Sequence, residues 1–298
     1  MFRSFHEIEK HLISNKISKK IVFCGSQDDI GLRALVRAKR TGFVTATLIG
    51  DYEKTVALLR EMDEPVADYE IINETREMRI ASTAAKMVRS GLADIPMKGL
   101  IQTAPFLMAI KDPIGGLADP DALINEYTVF FFSEQDRLIL AGDCAVNIAP
   151  SLDEKVKILR NLISLAKAYQ CATIKVAAVS VIEKPDPTIQ SSLDAAALSK
   201  MDWGKDVLVE GPLALDNAIS AAAAAHKGIS SAVAGNADIL LMPDIHAGNI
   251  FHKCVNFLSH LPFASGTVGA NCPVIMNSRT DDEDSKFNSI MSGILQSV

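Results

Sequence analysis

"SLDEKVKILRNLISLAKAYQCATIKVAAVSVI", residues 151–182, joins a helix pattern directly to a strand pattern. Apolar residues at 152, 156, 159, 163 and 166 recur at the three- and four-residue spacing of one helix face. Ser151 and Glu154, just ahead of that stripe, have the spacing of a capping box, in which each side chain satisfies a backbone N–H left open at a helix start. From Ile174 to Ile182 the pattern changes to an apolar run of strand length. The same alternation recurs outward in both directions. Ile21 to Cys24, Thr45 to Ile49, Gly99 to Gln102, Val207 to Glu210, Ile239 to Met242 and Val274 to Met276 read as strands, many separated by helix-patterned stretches. This predicts an α/β fold with mixed, largely parallel sheets.

One segment departs from that rhythm. Tyr127 to Phe132 and Leu138 to Leu140 are apolar runs separated by Ser133, Glu134, Gln135 and Asp136, the pattern of a β-hairpin added to a mixed sheet. After it, Pro150 and the capped helix mark a fresh start and a lobe boundary. A chain of 298 residues is long enough for two lobes.

Composition excludes several classes. Hydrophobic residues make up 48% and charged residues 22%, and no apolar stretch is long enough to span a bilayer. The start, MFRSFHEIEK, carries acids and lacks an apolar core, so it does not read as a secretory signal and a cytoplasmic protein is expected. Five widely spaced cysteines argue against a disulfide framework or structural zinc. A net charge of −6, with one Trp and four Tyr, lacks the basic and aromatic surface of a nucleic-acid binder.

Three stretches could carry chemistry. In "ADILLMPDIHAGNIFHK", 237–253, a strand ends at Pro243 and Asp244, and Gly248, Asn249 and Lys253 follow on a helix. Ligands of open α/β sheets bind at such strand ends, although a plain capped turn would look the same. His246 and His252 have no third ligand nearby and do not read as a metal site. In "VEGPLALDNA", 209–218, Asp216 sits on the first turn of a helix, where an acid also serves the helix dipole. In "NSRTDDEDSKFNSI", 277–290, Thr280 and Glu283 fit a capping box, with Asp281, Asp282 and Glu283 in the first turn. Ser278 and Arg279 then stand at the strand end, where a guanidinium fork and a hydroxyl can meet an anion. An ion pair between Arg279 and one of its own acids is the competing reading. Lys98 and Thr103 of "MKGLIQT", and Ser180 and Glu183 of "VAAVSVIEK", lie at or near other strands. No G-x-G-x-x-G after a strand, G-x-x-x-x-G-K-[ST], H-E-x-x-H or G-x-S-x-G occurs.

In order and spacing, "MKGLIQT", "GDCAVNIAP", "KVAAVSVIEK", "VEGPLALDNA", "SAVAGNADILLMPDIHAGNIFHK" and "NSRTDDEDSK" resemble the phosphate acetyl/butyryltransferase family over nearly the whole chain, with "GPLALDNA" closer to the butyryl branch. The resemblance implies two isocitrate/isopropylmalate-dehydrogenase-like α/β lobes, residues 1–148 plus 265–298 and residues 149–264, with the active cleft between them. It implies exchange of a short-chain, butyryl-like acyl group between coenzyme A, a substrate here, and inorganic phosphate. The thiol attacks an acyl phosphate directly, no metal takes part, and the protein forms a homodimer or larger homo-oligomer. Neither nucleic acid nor membrane is an expected partner.

On that pattern Arg279 holds the phosphoryl group and Ser278 hydrogen-bonds developing charge. Substrate contacts are expected from Lys98, Thr103, Asp143 and Asn147, from Ser180, Glu183 and Asp216, and from Pro243, Gly248, Asn249 and Lys253. The acetyl-type base, six positions after the arginine, is Ser285 here. Asp281, Asp282 and Asp284 are within reach, and butyryl-type sequences commonly place an acid at the position of Asp281. Asn125 and Glu126 replace a Ser-His pair usual in relatives. Two alternatives remain: an acyl-phosphate synthase using acyl carrier protein, and a catalytically silent acyl-CoA or phosphate binder.

Overall fold

The computed structural model describes residues 1–298 and divides into two compact units, Phe5–Ile124 with Pro262–Val298, and Asn125–Leu261 with Met1–Ser4. Along the chain the elements are α1 (Phe5–Ser14), β1 (Lys19–Cys24), α2 (Asp29–Arg40), β2 (Val44–Gly50), α3 (Tyr52–Glu61), β3 (Glu70–Asn73), α4 (Glu77–Arg89), β4 (Ile95–Lys98) and α5 (Thr103–Lys111). The next group is β5 (Asn125–Phe132), β6 (Arg137–Gly142), α6 (Leu152–Ala168), β7 (Ile174–Val179), α7 (Gln190–Leu198), β8 (Val207–Leu213), α8 (Leu215–Ile219), α9 (Ala221–His226), β9 (Ile239–Leu241) and α10 (Ile245–Lys253). The chain ends with β10 (Phe263–Val268), β11 (Ile275–Met276) and α11 (Glu283–Gln296).

In the Phe5–Ile124 unit, five parallel strands run in the order β11-β4-β1-β2-β3. Lys98 pairs with Cys24 on one side and Met276 on the other, so three strands end in one row. The loops leaving β1 and β4 lie directly against each other: the Gly99 N–H donates to the Cys24 carbonyl and the Leu100 N–H to that of Gly25. Gly25 has φ +78°, and a Cβ there would come within 2.8 Å of the Leu100 backbone, so only glycine fits. Helix α11 is buried from Ser285 to Leu295. Its polar residues are bonded inside: Ser289 donates to the Ser285 carbonyl at 2.8 Å, and Asn288 to that of Phe263 at 3.2 Å.

In the Asn125–Leu261 unit the strands run β5-β6-β9-β7-β8. The expected hairpin is the antiparallel β5–β6 pair, and β6, β9, β7 and β8 are parallel neighbours. The Ser151–Glu154 capping box forms at the start of α6. The expected boundary at 148/149 lies instead at 124/125, because Leu140 to Gly142 pair with β9 and carry the hairpin into this sheet. Residues 1–4 join the same unit: Phe2 donates its N–H to the Tyr169 carbonyl at 3.0 Å, and Arg3 binds Asp136 at 2.5 Å.

Three strand expectations shift. Residues 99–102 form the loop after β4, since the buried strand residues are Ile95 to Lys98. β7 stops at Val179. β8 continues through Gly211 and Pro212 to Leu213, past residues whose chemistry reads as a strand stop. β3 and β10 give no clear strand pattern in the sequence, the first being short and half-exposed, the second carrying Ser265, Gly266 and Thr267.

Two consequences are measurable. Phe287 is 2% exposed, with its ring 5.8 Å from that of Phe43 and the Arg37 guanidinium 3.9 Å above it. Phe287→Ala is expected to cost about 3–5 kcal/mol in urea denaturation. His252 is 3% exposed and within 2.8 Å of the Thr128 hydroxyl; burial, with Lys253 adding to it, holds its pKa down to about 4. The unfolded chain therefore takes up this proton first as pH falls below 6.5. Stability is lost between pH 6.5 and about 4, by roughly 3 kcal/mol from this group, and His252→Gln should flatten that part of the pH–stability curve.

Candidate active site

The SR turn begins where β11 ends. Asn277 donates from Nδ2 to Ser289 Oγ at 2.8 Å and Ser265 Oγ at 3.1 Å, anchoring the strand end to α11 and β10. The Ser278 N–H then donates to Asp281 Oδ2 at 2.9 Å, and the Asp281 N–H returns to the Ser278 carbonyl at 3.2 Å. Ser278 and Thr280 hydroxyls meet at 2.9 Å. With Asp281 turned inward and fully buried, the helix cap passes to Asp282, which accepts the Ser285 N–H at 2.8 Å. The expected Thr280–Glu283 capping box is therefore not formed; α11 starts at Glu283, and its first turn holds Glu283 and Asp284.

Three acids of the run have partners other than Arg279. Asp281 clasps Ser278, Asp282 caps the helix, and Asp284 pairs with Arg37 on α2 at 2.6 Å. Arg279 reaches across to Gln102, at the start of α5, and donates from Nη2 to Oε1 at 2.8 Å. The competing ion-pair reading is not what the geometry gives. Thr103 follows Gln102 as the first residue of α5, exposed beside this contact.

Behind the turn lies Lys98, the last residue of β4 and 5% exposed. Its Nζ has two long contacts, 3.4 Å to each of the Gly99 and Ile101 carbonyl oxygens, and no carboxylate within ion-pair distance. Burial first, then the charges of Arg279 and Lys286, push its pKa down, while Asp28 and Asp281 act in the opposite direction. Lys286, 2% exposed on α11, binds Asp28 Oδ2 at 3.0 Å; Asp28 is also the cap of α2. Gln102, Lys286 and Asp28 do not stand out in the sequence. The available signal was Lys286, a charge one turn before Ile290 on the apolar stripe of α11.

The other unit gathers a second group of the expected residues. Asp143 follows β6 and is 3% exposed; Oδ1 accepts the Glu126 and Ala145 N–H groups at 3.0 Å and Val146 at 3.2 Å. Its Oδ2 takes the Asn147 N–H at 2.7 Å and Asn147 Nδ2 at 2.5 Å. Asp143 and Asn147 thus organise the loop after the strand. Helix α10, capped by Asp244, docks on that loop: Asn249 Nδ2 donates to the Cys144 carbonyl at 3.3 Å. At Gly248 a side chain would collide with the Asp143 carbonyl oxygen. Pro243 lies between β9 and α10, and Lys253, at the far end of α10, sits 5.7 Å from the Phe257 ring centroid.

Ser180 stands apart from these, with its hydroxyl 2.9 Å from that of Ser191. Glu183 and Asp216 form a separate cluster. Glu183 Oε1 accepts from Lys227 Nζ and Asn217 Nδ2, both at 2.7 Å, and Lys227 also pairs with Asp216 at 3.2 Å. The Lys227 contact is the main cause holding the Glu183 carboxyl below its usual range. No group of three or more His, Cys, Asp or Glu side chains is set to hold a metal ion, and no helix is long and apolar enough to cross a membrane.

A cationic strand edge beside a serine suits an anionic substrate, and similarity to known proteins narrows the class. The family model described as phosphate acetyl/butaryl transferase matches residues 57–293. A phosphate butyryltransferase of Clostridium acetobutylicum is 39% identical over 293 residues, 97% of each chain. A phosphate acetyltransferase of Thermotoga maritima is 34% identical, over 91% of this chain and 93% of that one. Among solved structures, a branched-chain phosphotransacylase from Enterococcus faecalis V583 superposes with a TM-score of 0.82 at 26% identity, over 94% of this chain and 99% of the other. With those relatives covering both units nearly end to end, the chain belongs to the phosphate acetyl/butaryl transferase family of acyltransferases.

Proposed function

We propose that this protein exchanges a short-chain, butyryl-like acyl group between coenzyme A and inorganic phosphate, by direct attack of the thiol on an acyl phosphate and the reverse. The observation that carries the reading is the pair Lys98 and Arg279 at one strand edge, neither with a carboxylate partner, next to the Ser278 hydroxyl. A buried lysine without an ion-pair partner is costly until an anion arrives, which favours a phosphoryl group at this edge. The Arg279 fork grips the phosphoryl oxygens, releasing Gln102, and Ser278 donates to charge developing on the acyl or leaving oxygen. Family membership and the butyryltransferase relatives supply the acyl group and the coenzyme. The protein works in the cytoplasm as a homodimer or larger homo-oligomer.

Asp281 serves this site by holding the SR turn. It is buried with one oxygen on the Ser278 N–H, whereas Asp284 is exposed and tied to Arg37.

Phosphate- or arsenate-dependent release of free thiol from butyryl-CoA tests the activity. Absence of thiol release across acetyl-, propionyl-, butyryl- and branched acyl-CoA would sink it, and faster turnover with acyl carrier protein than with coenzyme A would reassign it. Arg279→Ala should lower kcat/KM by roughly 10²–10³ with the fold intact by circular dichroism. Near-normal rates in that variant would remove Arg279 from the site. Asp284→Ala should leave kcat within about twofold. Asp281→Asn, which keeps an acceptor for the Ser278 N–H, should retain more than about a tenth of activity, and Asp281→Ala should lose about tenfold more. A near-total loss in the Asn variant, with an acid limb displaced in the pH profile, would instead make Asp281 the base.

A further inference from the structure

We propose that coenzyme A is held at this site as its thiolate, with Lys98 as the cation that stabilises the sulfur, so that transfer here proceeds without a carboxylate base. This rests on the acyl-transfer reading above and concerns how its nucleophile is made.

Four carboxylates around the SR turn already have partners. Asp28 is held by Lys286, Asp281 by the Ser278 N–H, Asp282 by the Ser285 N–H and Asp284 by Arg37. Position 285, where the acetyl-type base would stand by resemblance, is a buried serine. Lys98 differs from these carboxylates: Arg279 and Lys286 add to burial in pressing its pKa down, Asp28 and Asp281 act the other way, and its Nζ has only two long carbonyl contacts. Once Arg279 grips the phosphoryl group, Lys98 is the remaining cation at the strand edge with no ion-pair partner. Cys24, paired with Lys98 across the β1–β4 ladder, does not compete for it as an anion, because burial pushes that thiol far up despite the lysine charge.

The chemistry balances without a proton acceptor in the protein. On binding, the S–H bond breaks and its proton goes to bulk water. The sulfur lone pair then forms the C–S bond at the acyl carbon, and the C–O bond to phosphate breaks with its electron pair on the departing phosphate oxygen. An unperturbed thiol has a pKa of about 8.5, and an opposite charge within about 4–6 Å shifts a titrating group by about 1–3 units. A shift above about 1.5 units makes the thiolate the main form at pH 7. It also explains how a serine can occupy position 285 in an active transferase.

The test uses the whole protein and coenzyme A without acyl donor. Calorimetry at pH 7 in buffers of different ionisation enthalpy counts protons released on binding, and ultraviolet difference spectra report thiolate. Wild type should release about one proton per coenzyme A bound and show the thiolate band, while desulfo-coenzyme A should do neither. Lys98→Met should lose the band, move the acid limb of the kcat/KM profile for coenzyme A to higher pH and lower the rate at pH 7 by about 10–10²-fold; Lys98→Arg should keep the band. Binding and turnover in wild type without proton release, or an unchanged band and acid limb in Lys98→Met, would overturn the proposal. If Lys98→Met does not fold, the wild-type comparison with desulfo-coenzyme A decides alone. Failure of wild type to turn over any acyl-CoA would count against the acyl-transfer reading instead.

Discussion

The pairing of β4 with β11 is the contact on which the site depends. It sets Met276 beside Lys98 in a parallel register, and so brings together chain segments whose meeting residues, Gln102 and Arg279, are 177 positions apart. Parallel strands place all their carboxyl ends on one edge, where backbone groups and helix starts are left open. One short ladder therefore puts a lysine, an arginine and a serine in the same place. The β11 strand has only two residues, and the segments after it hold it in position. Asn277 is anchored by two serine hydroxyls, and α11 is buried along almost its whole length.

The electrostatics come from that packing. A lysine at a buried strand end loses its water, and nearby Lys286 and Arg279 raise the cost of its charge further. Nearby acids could have neutralised it, yet each carboxylate in reach already has another task. Asp28 caps α2 and binds Lys286, and Asp281 closes the turn that presents Ser278. The result is a small region with surplus positive charge inside a protein whose net charge is −6. A local cluster of cations and overall acidity are compatible because the first depends on a few buried groups and the second on many solvated ones.

The second unit shows the same strand-end logic put to structural use. Asp143 has both carboxylate oxygens filled by N–H groups of its own neighbourhood, and Gly248 lets a helix approach that loop. Sequence spacing alone treats Asp143 and Arg279 alike, as polar residues after strands. Only the folded chain separates them: Asp143 has both oxygens filled by its own loop, and Arg279 bonds Gln102 across the sheet edge.

Local chemistry was therefore legible from residue order. The Ser151–Glu154 box, the stripe of α6, the β5–β6 hairpin and most strands rest on interactions within a few residues, and motif order was enough to point to the family. Elements that lean on distant partners were not: β3 and β10 carry little periodic signal, β8 runs through a proline, and the hairpin chose its unit by pairing with β9. At the candidate site the sequence singled out Ser278, Arg279 and Lys98 by type and position. The partner of each charged group was set by tertiary packing. Asp284 goes to Arg37, Asp281 to the Ser278 backbone, and Arg279 to Gln102, because a charge takes its partner by distance and burial in the folded chain, whatever stands beside it in sequence.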